Sequence, residues 1–289
     1  MSPYTPDAFA MAKRFWTFYD EEPDLDKRIS YLEQSCEYVD YIPNLIQLAN
    51  NYSIRSKIKQ LQNIPEKDYS EEKKKVEKIF DHVRKLIEEN NRRITKKERS
   101  FYHQELHNHN LYYGWGEHCR RWEEYDKAVK FFQQAITEIE QYKRKSETDE
   151  KILVTCTVFI AQCYIELKNY PLAQKILDDI EKNKNPYHPY LLTGRGELFL
   201  AQSQSLGISA QDKDEYFRKS ALYFTKAIAI NPENYFLDWC LSKLYLLKGD
   251  QKQALEFLRQ AQKKVETSDN AINKLKIGIE LQIMEENNR

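Results

Sequence analysis

His103, His107 and His109 form the densest histidine cluster of this 289-residue chain. His103 and His107 stand at i and i+4, the separation at which one helix face can offer two imidazoles to a single ion. A third ligand could come only from His109, His118 or Cys119. The order His-Gln-Glu-Leu-His places the acid third instead of second, so the motif that joins two zinc ligands to a positioned general base is absent. The favoured reading is that these are polar residues at a helical seam, and no metal or cofactor is expected.

Other chemistry has less support. Gly194 and Gly196 form an isolated GxG inside a helical pattern, not a phosphate-binding loop, and there is no GxSxG elbow. Cys36, Cys119, Cys156, Cys163 and Cys240 make no CxxC pair and an odd total, which argues against a disulfide framework and for a reducing compartment. Cys156 and Cys163, at i and i+7, read as small buried apolar residues. No carboxylate pair stands out as an acid and base couple, so the chain is read as not an enzyme.

The elements that would position any site are helical. Seven Gly and nine Pro are few breakers for such a length, and 41% hydrophobic with 31% charged residues suffices for a core. Forty-five basic residues balance forty-five acidic ones, so no bulk field draws nucleic acid or an anionic surface. No apolar run reaches the roughly 20 residues that span a bilayer. The first 22 residues lack the basic start and apolar stretch of a secretory signal, and they carry more acid than a transit peptide. The cytoplasm is expected, with the mitochondrial matrix as the alternative.

Residues 1–100 read as a helical extension without repeats. A helix start is expected at Thr5-Pro6-Asp7, and Pro43 is expected to kink or end the helix lined by Leu25, Ile29, Leu32, Cys36 and Val39. An amphipathic helix over Val76, Ile79, Phe80, Val83, Leu86 and Ile87 should break at Asn90-Asn91, with Thr95 and Glu98 boxing the next start.

Residues 101–267 repeat. Ala227 to Ala261 and Ser220 to Ala254 are each 34 residues apart, the period of one antiparallel helix pair. Four copies carry a small residue in the first helix and a small residue, a bulky residue four later and Ala seven later in the second. They are Gly116 with Ala128, Phe132 and Ala135; Ala161 with Ala173, Leu177 and, in place of the last Ala, Ile180; Gly196 with Ser220, Phe224 and Ala227; Ser242 with Ala254, Leu258 and Ala261. Small residues allow two helix backbones to approach, and bulky ones fill the space between pairs. Excess residues are expected as loops around 141–149 and 203–214. Residues 268–289 read as a capping helix lined by Ile272, Leu275, Ile279, Leu281 and Ile283, with a polar tail.

This pattern resembles the tetratricopeptide repeat family. The resemblance implies an all-α, right-handed α-solenoid of helix pairs that binds a protein segment on its concave side. Carried onto this chain, the concave positions include Tyr113, Glu117, Val158, Gln162, Tyr190, Phe236, Trp239 and Lys243. Where the family's chaperone-binding members clamp a carboxylate with Lys, Arg and Asn, this chain has Tyr113, Glu117, Phe159, Phe236 and Cys240, so chaperone-tail binding is not expected. The expected role is an interaction scaffold or adaptor within a larger assembly. The alternatives are an RNA-binding member, which would need a basic groove, and a peptide-sensing regulator, which would need a basic recognition helix in residues 1–65.

Overall fold

The computed structural model describes residues 6–97, 108–142, 144–183 and 188–287, and these contain thirteen α-helices and no strand. They form two compact units, Met1–Lys143 and Arg144–Arg289.

The first unit holds α1 (Pro6–Glu21), α2 (Leu25–Tyr38), α3 (Ile42–Leu61), α4 (Lys67–Thr95), α5 (His109–Arg121) and α6 (Tyr125–Glu140). Asp24 caps α2 by accepting from the Lys27 N–H at 2.9 Å, which satisfies one of the orphan donors of the first turn. That helix stops at Tyr38. Pro43 begins α3 instead of ending α2, because the first turn has no use for the N–H that proline lacks. α4 contributes Val76, Phe80, Val83 and Ile87 to a core shared with Ile29, Leu32, Leu45, Leu48, Tyr52 and Leu111. The break expected at Asn90-Asn91 does not occur. Asn90 is buried, the helix continues to Thr95, and the Thr95 hydroxyl donates back to the Asn91 carbonyl at 2.9 Å. Glu98, the other half of the expected capping box, lies outside the described residues.

α1, α2 and α3 do pack in succession, which the sequence did not reveal. α3 is nevertheless the most enclosed helix of the unit, with Asn44, Asn51, Ser53, Ser56 and Lys57 all buried, so it presents no free basic face to a nucleic-acid groove.

The second unit holds α7 (Glu147–Glu166), α8 (Tyr170–Asn183), α9 (Pro189–Gln202), α10 (Ala210–Ile230), α11 (Tyr235–Leu247), α12 (Gln251–Val265) and α13 (Ala271–Asn287). Each helix packs on the next, and α9 also packs on α7 and α11, so successive hairpins stack. Both expected insertions are partly helical. Ser220 is the eleventh residue of α10, whereas Ala254 is the fourth of α12, so α10 begins seven residues early, about two turns. α7 is lengthened in the same way, and Ser146 with Asp149 forms the capping box that starts it. Of the two expected loops, 141–142, 144–146 and 203–209 lie outside the helices. On α13 the buried residues are Ile272 and Ile277, while Ile279 and Ile283 are exposed, so the expected stripe is rotated.

Candidate functional site

The helix register positions every candidate side chain. Gly116, Gly196 and Ser242 are the eighth residues of α5, α9 and α11, and Ala161 holds the same place in α7 once its two added turns are discounted. Opposite them, Ala128, Ala173, Ser220 and Ala254 are fully buried, as are Phe132, Leu177, Phe224 and Leu258 four residues on. The fit leaves no room for a side chain. A Cβ on Gly116 would stand 2.6 Å from the Phe132 ring, and one on Gly196 would run into the Phe224 ring in the same way. The Ser220 hydroxyl donates to the Gly196 carbonyl at 2.8 Å, tying α10 to α9. The first and third hairpins thus share one small-to-bulky contact, and the second and fourth bury the same positions. The chain has a tetratricopeptide repeat fold.

Several solved structures are similar to the chain at low identity. The chain is 16% identical to a thermophilic tetratricopeptide protein of Thermus thermophilus, TTC0263, over 61% of its own length and 85% of that protein's, at a TM-score of 0.46. It is 14% identical to BtubC (BKLC) of P. vanneervenii over 83% of its own length and 90% of that protein's, at 0.47. With yeast Tom70 it shares 16% identity over 96% of its own length and 58% of that protein's, at 0.38. No protein-family profile matches the sequence, and no curated protein matches it.

In this tetratricopeptide register the expected concave residues separate by position. The fifth position is core. Val158 is fully buried between Leu177 and the neighbouring first helix, where its Cγ1 lies 3.3 Å from the place a Gly194 side chain would begin. Trp239 is 5% exposed, packs on Leu258, Ala261, Val265 and Ile277, and donates its indole N–H to Glu280 of α13 at 2.6 Å. The C-terminal helix therefore covers the ring that the sequence offered as a groove anchor. In the first unit the fifth residue of α5, Tyr113, is half-buried, its ring tilted against Phe132 at 6.2 Å.

The second and ninth positions remain at the surface. Tyr190 and Phe236 are the second residues of α9 and α11, one 49% exposed and the other half-buried against Trp239. Glu117, Gln162, Glu197 and Lys243 occupy the ninth position, the Gln162 amide donating to the Glu197 carboxylate at 2.5 Å across α7 and α9. Exposed Lys243 holds its ammonium 3.8 Å from the centre of the Trp239 ring, a cation–π contact that shields the indole from solvent. Burial alone would push the Glu117 carboxyl up, but Arg120, paired with it at 2.8 Å, and Arg121 hold it below its ordinary value.

His103 and His107 lie outside the described residues. Their possible third ligands are engaged elsewhere: His109 Nδ1 meets the Tyr142 hydroxyl at 2.6 Å, and His118 Nδ1 meets the Ser53 hydroxyl at 2.8 Å. Cys119 is buried and its thiol is pushed up to about 12, chiefly by desolvation, so it is no ready thiolate ligand. Among the described residues no group of three His, Cys, Asp or Glu could hold an ion, and no helix is long and apolar enough to cross a membrane.

Proposed function

We propose that this protein is a non-catalytic interaction scaffold, a subunit or adaptor of a multiprotein assembly. It takes an extended or helical segment of a partner along the first helices of its second unit. The carrying observation is the pairing of Tyr190 with Phe236 at equivalent second positions, beside the polar line Gln162, Glu197 and Lys243. Rigid aromatic rings next to a polar line are what a peptide groove needs: the rings anchor, and the polar line fixes register. Tyr113 and Glu117, at the fifth and ninth positions of α5, are proposed as a separate contact of the first unit. The face has mixed charge, which disfavours nucleic acid.

The test is affinity purification of the full chain beside Tyr190→Ala and Phe236→Ala. Loss of the same partners from both variants, with helix content unchanged, supports the reading. Retention of every partner by both overturns it.

A further inference from the structure

The four hairpins serve as a template for reading α13. Its eighth residue is Gly278, and Leu281 stands three residues later, where α9 and α11 carry Phe199 and Tyr245. α13 also lies beside α11: Asn273 donates to the Tyr235 hydroxyl at 3.1 Å, and Glu280 accepts from Trp239. It is built and placed as the first helix of a fifth hairpin, yet no second helix of that hairpin lies against it among the described residues.

The slot that a second helix would fill is open. In the complete hairpins a side chain added to Gly116 or Gly196 strikes a phenylalanine ring, whereas one added to Gly278 meets nothing nearer than the Gln262 side-chain oxygen at 3.8 Å. That oxygen is itself buried and has no hydrogen-bond donor. On the same helix Leu275 and Leu281 are only half-buried, Leu281 at the edge of the Trp239 cluster.

We infer that α13 takes an amphipathic helix from another protein chain, which completes the fifth hairpin. The helix's chemistry is read from the second helices already present: a small residue, Phe or Leu four later, and a small residue seven later, as in Ala254, Leu258 and Ala261. Charge specifies one position more. In the fourth hairpin Asp238, fourth residue of α11, pairs at 2.6 Å with Lys264, ten residues after Ala254. The fourth residue of α13 is Lys274, of opposite sign, so the incoming helix carries Asp or Glu ten residues after its small residue. This site does not include Tyr190, whereas Phe236 shares the Trp239 cluster with Leu281 of α13.

The probe is a fluorescent peptide with the sequence of residues 250–266 carrying Lys264→Glu, titrated into the full chain and followed by anisotropy. Saturable binding is expected, weakened at least about tenfold by Gly278→Phe, which fills the slot with the chain's own ring. Lys274→Glu reverses the preference, so that the peptide retaining Lys264 binds tighter than the Lys264→Glu peptide. Tyr190→Ala leaves binding unchanged. Absence of binding overturns the proposal, and so does binding that survives Gly278→Phe, since the peptide would then be displacing α12.

Discussion

The Ser220 hydroxyl and the Gly196 carbonyl meet at 2.8 Å in the middle of the third hairpin, with Ser220 fully buried. The three other hairpins hold alanine there, so the site tolerates a methyl group and accommodates one hydroxyl only because a carbonyl receives it. Ser220→Ala should cost about 1 kcal/mol, the net worth of the lost bond. Ser220→Val should cost about 1–3 kcal/mol more by overpacking the helix contact. Urea unfolding of the two variants checks the order, and an equal or reversed cost would contradict the packing.

His118 makes the first unit sensitive to acid. Burial, reinforced by Arg121 and Lys73, lowers its pKa from an ordinary 6.5 to about 3, so the folded chain keeps it neutral. The unfolded chain binds the proton more readily, and stability is therefore full above about pH 6.5 and declines as pH falls toward 3. His118→Gln should flatten that decline by up to about 1.4 kcal/mol per pH unit within the window. Unfolding curves at a series of pH values measure it.

Trp239 and Tyr190 should separate stability from recognition. Trp239→Ala removes a buried ring and its bond to Glu280, and should cost about 3–5 kcal/mol while loosening α13. Tyr190→Ala removes a ring that is 49% exposed and should change stability by no more than about 0.5 kcal/mol. Thermal melts compare the two, and hydrogen exchange on 271–287 reports the release of α13.

Much of this architecture is legible in the sequence because a small residue facing a bulky one across a helix pair is a local, repeated constraint. Ala128, Ala173, Ser220 and Ala254 could be aligned by eye, and all are fully buried at the contact. What escaped had a different cause. Asn90 looked like a break because asparagine competes with helical hydrogen bonding, but its burial within the unit overrides that propensity. The seven residues added to α10 looked like loop because 210–215 is polar and exposed, which is also the composition of a helix projecting into solvent. At the candidate site, Tyr190 and Phe236 follow from register alone. Trp239 could not be sorted between surface and core without α13, which covers it from a segment 41 residues away at Glu280.

The register itself is tested most directly by making one substitution twice, Gly196→Ala and Gly278→Ala. Both glycines are eighth residues of first-type helices, so helix propensity alone predicts a gain of about 0.5–1 kcal/mol at each. The packing predicts opposite signs. Gly196→Ala should lose about 1–3 kcal/mol because its methyl strikes the Phe224 ring, and Gly278→Ala should show the gain because its slot is empty. Chemical unfolding of both variants beside the parent decides the matter, and changes of the same sign at the two positions would contradict it.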